Sequence, residues 1–328
     1  MLVRQVRPME SDIMPNEAVP VQVTLICTIL NEAKSLPSFL ASLKKLARLP
    51  DEVVVCDGGS TDETLRVLEE AALQFPCPFK VIQVSGNRSV GRNAAIRQAS
   101  HDWIACTDAG CELDPNWLAQ LLKPVEEGGQ VDVVSGLYEA KGKTQFERCA
   151  GVITLSTQGI NPATFLPSTR SVAFRKSAWA RVGGFPEDLS HNEDSAFGLA
   201  LRQAGCRFTF APDAFVFWRP RGSIRQTFRQ FYRYSYGDAE AQIFLFKYIR
   251  IYLRYIVWFL LSVAVIAKPS VFFLWSAAVV PYWMFWAIRG WQQCRDWRAI
   301  GLVPLVKFVV DIANMAGYLQ GRNPRLKS

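Results

Sequence analysis

The chain has 328 residues, half of them hydrophobic, with 37 Lys/Arg against 29 Asp/Glu and a formal charge of +8. From Arg219 to the end, 16 Lys/Arg face 4 Asp/Glu, a net of +12, which leaves −4 on residues 1–218. A mildly acidic globular part thus leads into a basic tail whose charges interleave with membrane-length apolar runs, a pattern that fits an anionic membrane surface and argues against nucleic acid. The eight cysteines have no paired or metal-like spacing. Cys27, Cys56 and Cys106 lie in apolar runs and read as reduced, buried thiols, and Cys111 as a packing residue. Residues 1–20 carry Glu10, Asp12 and Glu17, lack the apolar core of a secretory signal, and read as a flexible leader.

Strand and helix patterns alternate from residue 21. Val21–Thr28 reads as a strand, followed from about Ser35 by a helix with Leu36, Phe39, Leu40, Leu43 and Leu46 on one face. Glu52–Cys56 is a second strand. Asp62–Leu73 is a helix, with Ser60 and Glu63 placed as a capping box. Phe79–Val84, the short helix Val90–Gln98 and the strand Trp103–Thr107 follow. Asp114-Pro115 then opens a helix over Asn116–Val125 as N-cap and first helical residue, and Val131–Ser135 continues the strands. This rhythm predicts an α/β fold with a doubly wound, mostly parallel sheet. From Lys141 to Pro167 the pattern weakens, which reads as a mobile or membrane-facing segment. Arg170–Phe174 and Arg207–Phe210 read as further strands, with the helix Glu193–Gln203 between them.

The tail differs in kind. Val271–Ile288 is uncharged for eighteen residues, long enough to cross the hydrocarbon core. Tyr255–Ala267 reaches that length if extended back through Ile251 with Arg254 snorkelling. Lys268-Pro269-Ser270 separates the two, and Trp258, Trp275, Trp283 and Trp286 lie near their ends. Arg250 and Arg254 before the first run, and Arg289, Arg295 and Arg298 after the second, place both outer flanks on the cytoplasmic side. A third run, Ala299–Gln320, holds Lys307 and Asp311 four apart; it either spans as a paired helix or lies in the interface, and the basic residues beyond it favour the interface.

Polar groups gather at successive strand ends: Thr28, Asn31 and Glu32 at the first, Asp57 in Asp57-Gly58-Gly59-Ser60-Thr61-Asp62 at the second, Arg92-Asn93 in the third crossover, and Asp108 at the fourth. Ligands of open α/β sheets bind outside the carboxyl ends of the strands, so the default reading of this rim is a nucleotide site.

The order of these motifs resembles the family 2 glycosyltransferases with the GT-A fold, over roughly residues 20–240. Thr28-Ile29-Leu30-Asn31-Glu32 is similar to the first-strand motif of that family. Asp57–Asp62 is similar to its Asp-Asp-Gly-Ser-x-Asp, with Gly58 replacing the second acid, and Val90–Ala95 resembles its arginine-asparagine segment. Gly183-Gly184-Phe185-Pro186-Glu187 followed by Asn192-Glu193-Asp194 looks like the acceptor-side Gly-Gly-Phe and Glu-Asp elements. Gln230-Phe231-Tyr232-Arg233-Tyr234 is similar to Gln-x-x-Arg-Trp, with tyrosine at the end. Together these readings divide the chain into a flexible leader over 1–20, a GT-A domain over 21–240 implied by the resemblance, and membrane-anchoring helices over 241–328.

It further implies an inverting transfer from a nucleotide diphosphate sugar, with a UDP-sugar as first expectation, to a lipid-linked or envelope polysaccharide acceptor. The enzyme would sit at the inner (plasma) membrane with its catalytic part in the cytoplasm. Asp194, beside Glu193, takes the position of the catalytic base. Thr28, Asn31, Glu32, Asp57, Arg92, Asn93 and Asp108 are expected around the donor, and Arg170, Trp218, Gln230, Arg233 and Tyr234 around acceptor and diphosphate. Arg229 and Arg233 read equally as a membrane-surface stripe, and His191 as structural. A departure concerns the divalent cation (Mg²⁺ or Mn²⁺) that the resemblance implies. The Asp-x-Asp that holds it reads Asp108-Ala109-Gly110 here, leaving Asp108 with Glu112 as a substitute ligand. A processive polysaccharide synthase, a nucleotidyltransferase and a catalytically silent membrane scaffold are the rival readings.

Overall fold

The computed structural model describes residues 20–154, 161, 162 and 164–323; the expected leader lies, but for Pro20, outside them. Strands β1 (Val23–Ile29), β2 (Glu52–Asp57), β3 (Phe79–Gln83) and β4 (Trp103–Cys106) alternate with helices α1 (Leu36–Lys44), α2 (Thr64–Leu73) and α3 (Arg88–Gln98). The sheet continues through β5 (Cys111–Leu113), β6 (Val133–Ala140), β7 (Val172–Arg175) and β8 (Phe208–Trp218). Between them come α4 (Trp117–Glu126), α5 (Gln145–Thr154), α6 (Lys176–Arg181) and α7 (Glu193–Gln203). All eight strands form one sheet in the order β3-β2-β1-β4-β7-β6-β8-β5.

The first half is parallel, as expected. The second is mixed, because β7 runs antiparallel to both β4 and β6, and β5 antiparallel to β8. Strands β1, β2 and β4 are apolar on both faces because helices cover both. One core joins Leu25, Cys27, Val53 and Val55 to Phe39 and Leu43 of α1, Leu68 of α2 and Trp117 and Leu121 of α4. The other joins Ile26, Val54 and Ile104 to Ile96 of α3, Ala178 of α6 and Phe197 and Leu201 of α7.

Three local expectations give way to competing hydrogen bonds. The capping box at Ser60 and Glu63 does not form: the Ser60 hydroxyl donates to Asp57 and accepts from Asn31 N–H (2.8 Å), while Asp62 Oδ1 accepts from Thr64 N–H (3.1 Å). Asp114 accepts from Asn116 N–H at 2.9 Å, making a turn that delays α4 to Trp117. Within the Lys141–Pro167 segment, the described part contains α5, whose Cys149 and Val152 pack with Ala299 and Val303 of the tail.

The tail comprises α8 (Ile224–Glu240), α9 (Leu245–Ala267), α10 (Phe272–Cys294) and α11 (Ala299–Gly321), with a turn of 3-10 helix over Pro269–Val271. Three stretches, Leu245–Ala267, Pro269–Cys294 and Ala299–Gly321, are long and apolar enough to cross a membrane. The first two leave large side chains such as Phe246, Phe259, Ile266 and Phe273 exposed. The third is 39% buried over its most apolar window, because it packs beneath α8. Gly317 and Gly321 permit this: a Cβ would stand 2.2 Å from Tyr232 O at the first and 2.5 Å from Tyr236 O at the second. Small residues four apart let two helix backbones approach closely. Asp311 is fully buried and ion-pairs with Lys307 and, at 3.5 Å, Arg254; Tyr255 and Tyr282 donate to it at 3.2 and 2.7 Å.

Candidate active site

The β1 and β2 ends lie side by side, with Ile29 opposite Asp57, and their loops close on each other. Asp57 is fully buried and accepts from Gly59 N–H (3.1 Å) and Ser60 N–H (3.0 Å). Asn31, at φ +54°, accepts from Thr61 N–H at 2.8 Å, in a left-handed conformation that Asn tolerates better than most residues. Glu32 donates its N–H to Thr64 Oγ1 at 2.9 Å, and its carboxylate accepts from Ser35. Thr28 stands at the same edge, where Gly91 of α3 approaches so closely that a Cβ there would lie 2.9 Å from Thr28 Cγ2.

That approach places Arg92, 2% exposed, under the rim. Its guanidinium pairs with Glu193 at the start of α7 and, at 3.1 Å, with Asp108 beyond β4. Asn93, expected at the nucleotide, faces the other way. Its amide donates to Phe185 O and Glu187 Oε1 (both 2.8 Å) and accepts from Trp179 Nε1 and Phe185 N–H (both 2.9 Å). It therefore pins the Gly-Gly-Phe loop rather than facing the cleft. A cavity of about 500 Å³ behind that loop, lined by Asn93, Arg97 and Phe185 among others, contains neither Asp108 nor Asp194.

The opposite wall comes from the segment before β7, from α7 and from α8. Arg170 lies over the aromatic rings of Tyr138 (5.0 Å) and Trp218 (5.3 Å), cation–π contacts that suit a guanidinium. Its Nε is 3.9 Å from Asp108 Oδ2, and it donates to Ser168 Oγ at 3.3 Å and Tyr234 Oη at 3.2 Å. Ser168 donates in turn to Asp194 Oδ2 at 3.3 Å. Gln230 donates to Tyr234 Oη at 2.9 Å, and Asn192 ties α8 to this wall through Tyr234 O (3.0 Å) and Asp238 (2.6 Å). Trp218 Nε1 is buried without a hydrogen-bond partner. Arg233 is exposed and acts with Arg88 on His191, whose pKa is lowered by burial and by these two cations.

The adjacent carboxyls of α7 are driven apart. Burial and the charge of Glu193 push Asp194 above the ordinary aspartate value, against the pull of Arg92 and Arg170. Burial raises Glu193 too, but its ion pair with Arg92 prevails and holds it below the usual range. Asp108 is also raised by burial and lowered further by Arg92, Arg170 and Arg88, with a net downward shift. Neighbouring carboxyls with opposed shifts are how a site assigns one structural anion and one proton acceptor.

Comparison with known proteins shows the family and the fold. The description "Glycosyl transferase family group 2" matches residues 103–290, more than half of the chain, and "Glycosyl transferase family 2" matches residues 24–173. The chain belongs to the family 2 glycosyltransferases. The glycosyltransferase is 24% identical over 227 residues to the succinoglycan biosynthesis protein ExoA of Rhizobium meliloti (strain 1021), covering 66% of this chain and 68% of that one. It is 22% identical to a poly-beta-1,6-N-acetyl-D-glucosamine synthase of Staphylococcus epidermidis, covering 67% of this chain but just over half, 55%, of that protein's length. Its fold matches the mannosyltransferase PcManGT of Pyrobaculum calidifontis, solved with GDP-Man and Mn²⁺, at 19% identity and a TM-score of 0.60 over 93% of this chain and 90% of that one.

The glycosyltransferase thus gathers Arg92, Asp108, Arg170, Glu193, Asp194, Trp218, Gln230 and Tyr234 into one contiguous network. Glu112 does not join it. Residues alternate sides along β5, so Cys111 and Leu113 are buried while Glu112 is exposed and faces Lys141 at 3.6 Å. Among the described residues no group of three His, Cys, Asp or Glu side chains converges as a metal site. A divalent cation in a nucleotide site needs only one or two carboxylates beside the phosphates, but both Asp108 oxygens already face guanidiniums, Arg92 and Arg170, whose positive charge opposes a metal ion at the same place.

Sequence reasoning missed Arg88, Tyr138 and Ser168. A cation in the first turn after β3 was a usable signal for Arg88. An aromatic strand residue and a lone serine carry none.

Proposed function

We propose that the chain is a membrane-attached inverting glycosyltransferase that moves a sugar from a nucleoside diphosphate donor, a UDP-sugar first among them, to a lipid-linked or envelope polysaccharide acceptor. The observation that carries the reading is Asp194, a carboxyl raised by burial and joined through Ser168 to Arg170, whose guanidinium in turn approaches Asp108 at 3.9 Å. An acceptor hydroxyl attacks the anomeric carbon as Asp194 takes its proton. The bond from that carbon to the β-phosphate oxygen breaks, and its electron pair leaves with the nucleoside diphosphate. A positioned general base contributes ~10²–10⁴-fold to such a transfer.

Glu193 holds Arg92 and so fixes the start of α7; it is a positioning residue. Thr28, Asn31, Glu32 and Asp57 shape the donor edge, and Trp218 and Tyr234 the acceptor side. The apolar helices and the arginines flanking them support anchoring at the inner membrane with the cleft on the cytoplasmic side. Residues 21–240 then form the transferase domain and 241–328 the anchor. The cation that the resemblance implies meets only one carboxylate here, and no step of this mechanism runs through it.

The test incubates membranes containing the chain with UDP-, GDP- and dTDP-sugars and follows nucleoside diphosphate release and labelled, lipid-extractable product. Wild type turns over one donor class, and Asp194→Asn retains donor binding without transfer. Wild-type turnover by Asp194→Asn, or no donor bound or consumed by wild type, defeats the reading.

A further inference from the structure

Three observations meet at the diphosphate edge of the cleft. The position of a second acid is Gly110, which is exposed, and a Cβ there would meet nothing within 4 Å. Beside it Asp108, one-third exposed, has each carboxylate oxygen turned to a guanidinium, Arg92 at 3.1 Å and Arg170 at 3.9 Å. Arg170, whose side chain is 21% exposed, is held against the rings of Tyr138 and Trp218 and tethered by Tyr234 and Ser168, with its looser contact towards Asp108.

We propose that Arg170 does the work of the missing cation: its guanidinium binds the β-phosphate of the donor and neutralises the departing diphosphate, so donor binding and transfer are independent of divalent metal. As the bond between the anomeric carbon and the β-phosphate oxygen breaks, the electron pair settles on that oxygen and the Arg170 N–H groups hydrogen-bond to it. Asp108 orients the guanidinium rather than ligating a metal. A planar fork of fixed charge suits a phosphate bidentately, and a preorganised donor at a developing charge accelerates catalysis strongly. Desolvation against two rings strengthens the effect, since charge interactions grow as water is excluded. Arg88, exposed at the start of α3, adds its charge to those that lower Asp108.

The inference rests on the transferase reading, and the test separates the two. UDP and GDP binding by the purified full chain in detergent is measured in EDTA, then with added Mn²⁺ or Mg²⁺. Equal affinity in both, with turnover retained in EDTA, is expected. Affinity or turnover that collapses in EDTA and returns with metal overturns this inference but leaves the transferase reading intact. No nucleotide binding in either condition defeats that reading and the inference with it.

Arg170→Lys, which keeps the charge and loses the fork, is expected to lower kcat by ~10²-fold or more, with no rescue by Mn²⁺. Rescue by Mn²⁺, or unchanged kcat, overturns the role. Gly110→Asp adds a carboxylate in open space and is expected to create Mn²⁺ binding, read by the paramagnetic resonance of the ion in the presence of UDP, where wild type shows none. Equal Mn²⁺ binding by wild type overturns the proposal.

Discussion

The two sides of the cleft are built on opposite principles. On the donor edge, Asp57, Asn31, Ser60, Asp62 and Thr64 satisfy one another: each side chain is engaged with a neighbouring turn. On the acceptor wall, Asp194 is an anion disfavoured by its surroundings, Arg170 has only a loose carboxylate contact, and Trp218 Nε1 has no partner. A rim that must hold a constant part of the substrate gains from rigidity. A wall proposed to handle a proton and a departing charge instead holds Asp194 where its charged form is disfavoured, although Ser168 and Ser195 N–H donate to it, and stability is given up there for function.

This contrast is open to mutation. The largest effect is expected at Asp194→Asn, which should lower turnover ~10³-fold while raising the melting temperature at neutral pH. The sign follows from the raised carboxyl: the folded state favours the proton, so wild-type stability falls as pH rises from the unfolded aspartate value through the higher folded one. The neutral amide escapes that loss, and the gap between variant and wild type should widen with pH across this window. Wild-type turnover should show the matching acid limb, falling as pH drops through a value above the ordinary aspartate range. Melting scans and rate–pH profiles together check both statements; a variant less stable than wild type at every pH breaks the contrast.

Arg92→Met comes next, because it strands Glu193 and Asp108 without their partner. Removing one member of a buried pair costs ~3–5 kcal/mol, measured by denaturant unfolding of the detergent-solubilised chain. Asp57→Ala removes the acceptor for two N–H groups and a hydroxyl, and ~1–3 kcal/mol of stability should go with it. If the donor edge is rigid for binding, the nucleotide Kd weakens in the same variant. The exposed Arg66 of α2, paired with Glu63 at the N-cap and with Glu70, serves as the control: Arg66→Ala should leave both stability and turnover essentially unaltered, since exposed ion pairs contribute little.

What the sequence disclosed follows the same divide. Strands β1, β2 and β4 could be read because helices on both faces demand uninterrupted apolar runs, and their ends located the donor edge. Strand β8 was legible only to Phe210, because Ala211-Pro212-Asp213 resembles a turn. It runs on to Trp218 because the pairing with β6 shifts between Ser135 and Leu137 and accommodates the irregularity. That extension carries Trp218 to Arg170, so the cluster of Tyr138, Arg170 and Trp218 depends on a register that no local pattern encodes. Glu193 and Asp194 were located through motif resemblance, whereas the division of labour between them follows from Arg92, 101 residues away along the chain.

The close seating of α8 on α11 has a consequence for what can be glycosylated. Tyr234 and Asp238 fasten the catalytic wall to α8, and Gly317 and Gly321 bring the α11 backbone against α8 with no room for a spacer. In a bilayer-anchored chain such a coupling has no swivel, so the height of the proton acceptor above the lipid surface is set like the jaw of a fixed gauge. On the proposed function, acceptors held in the bilayer are then sorted by where their hydroxyl stands along the membrane normal before any sugar contact is made.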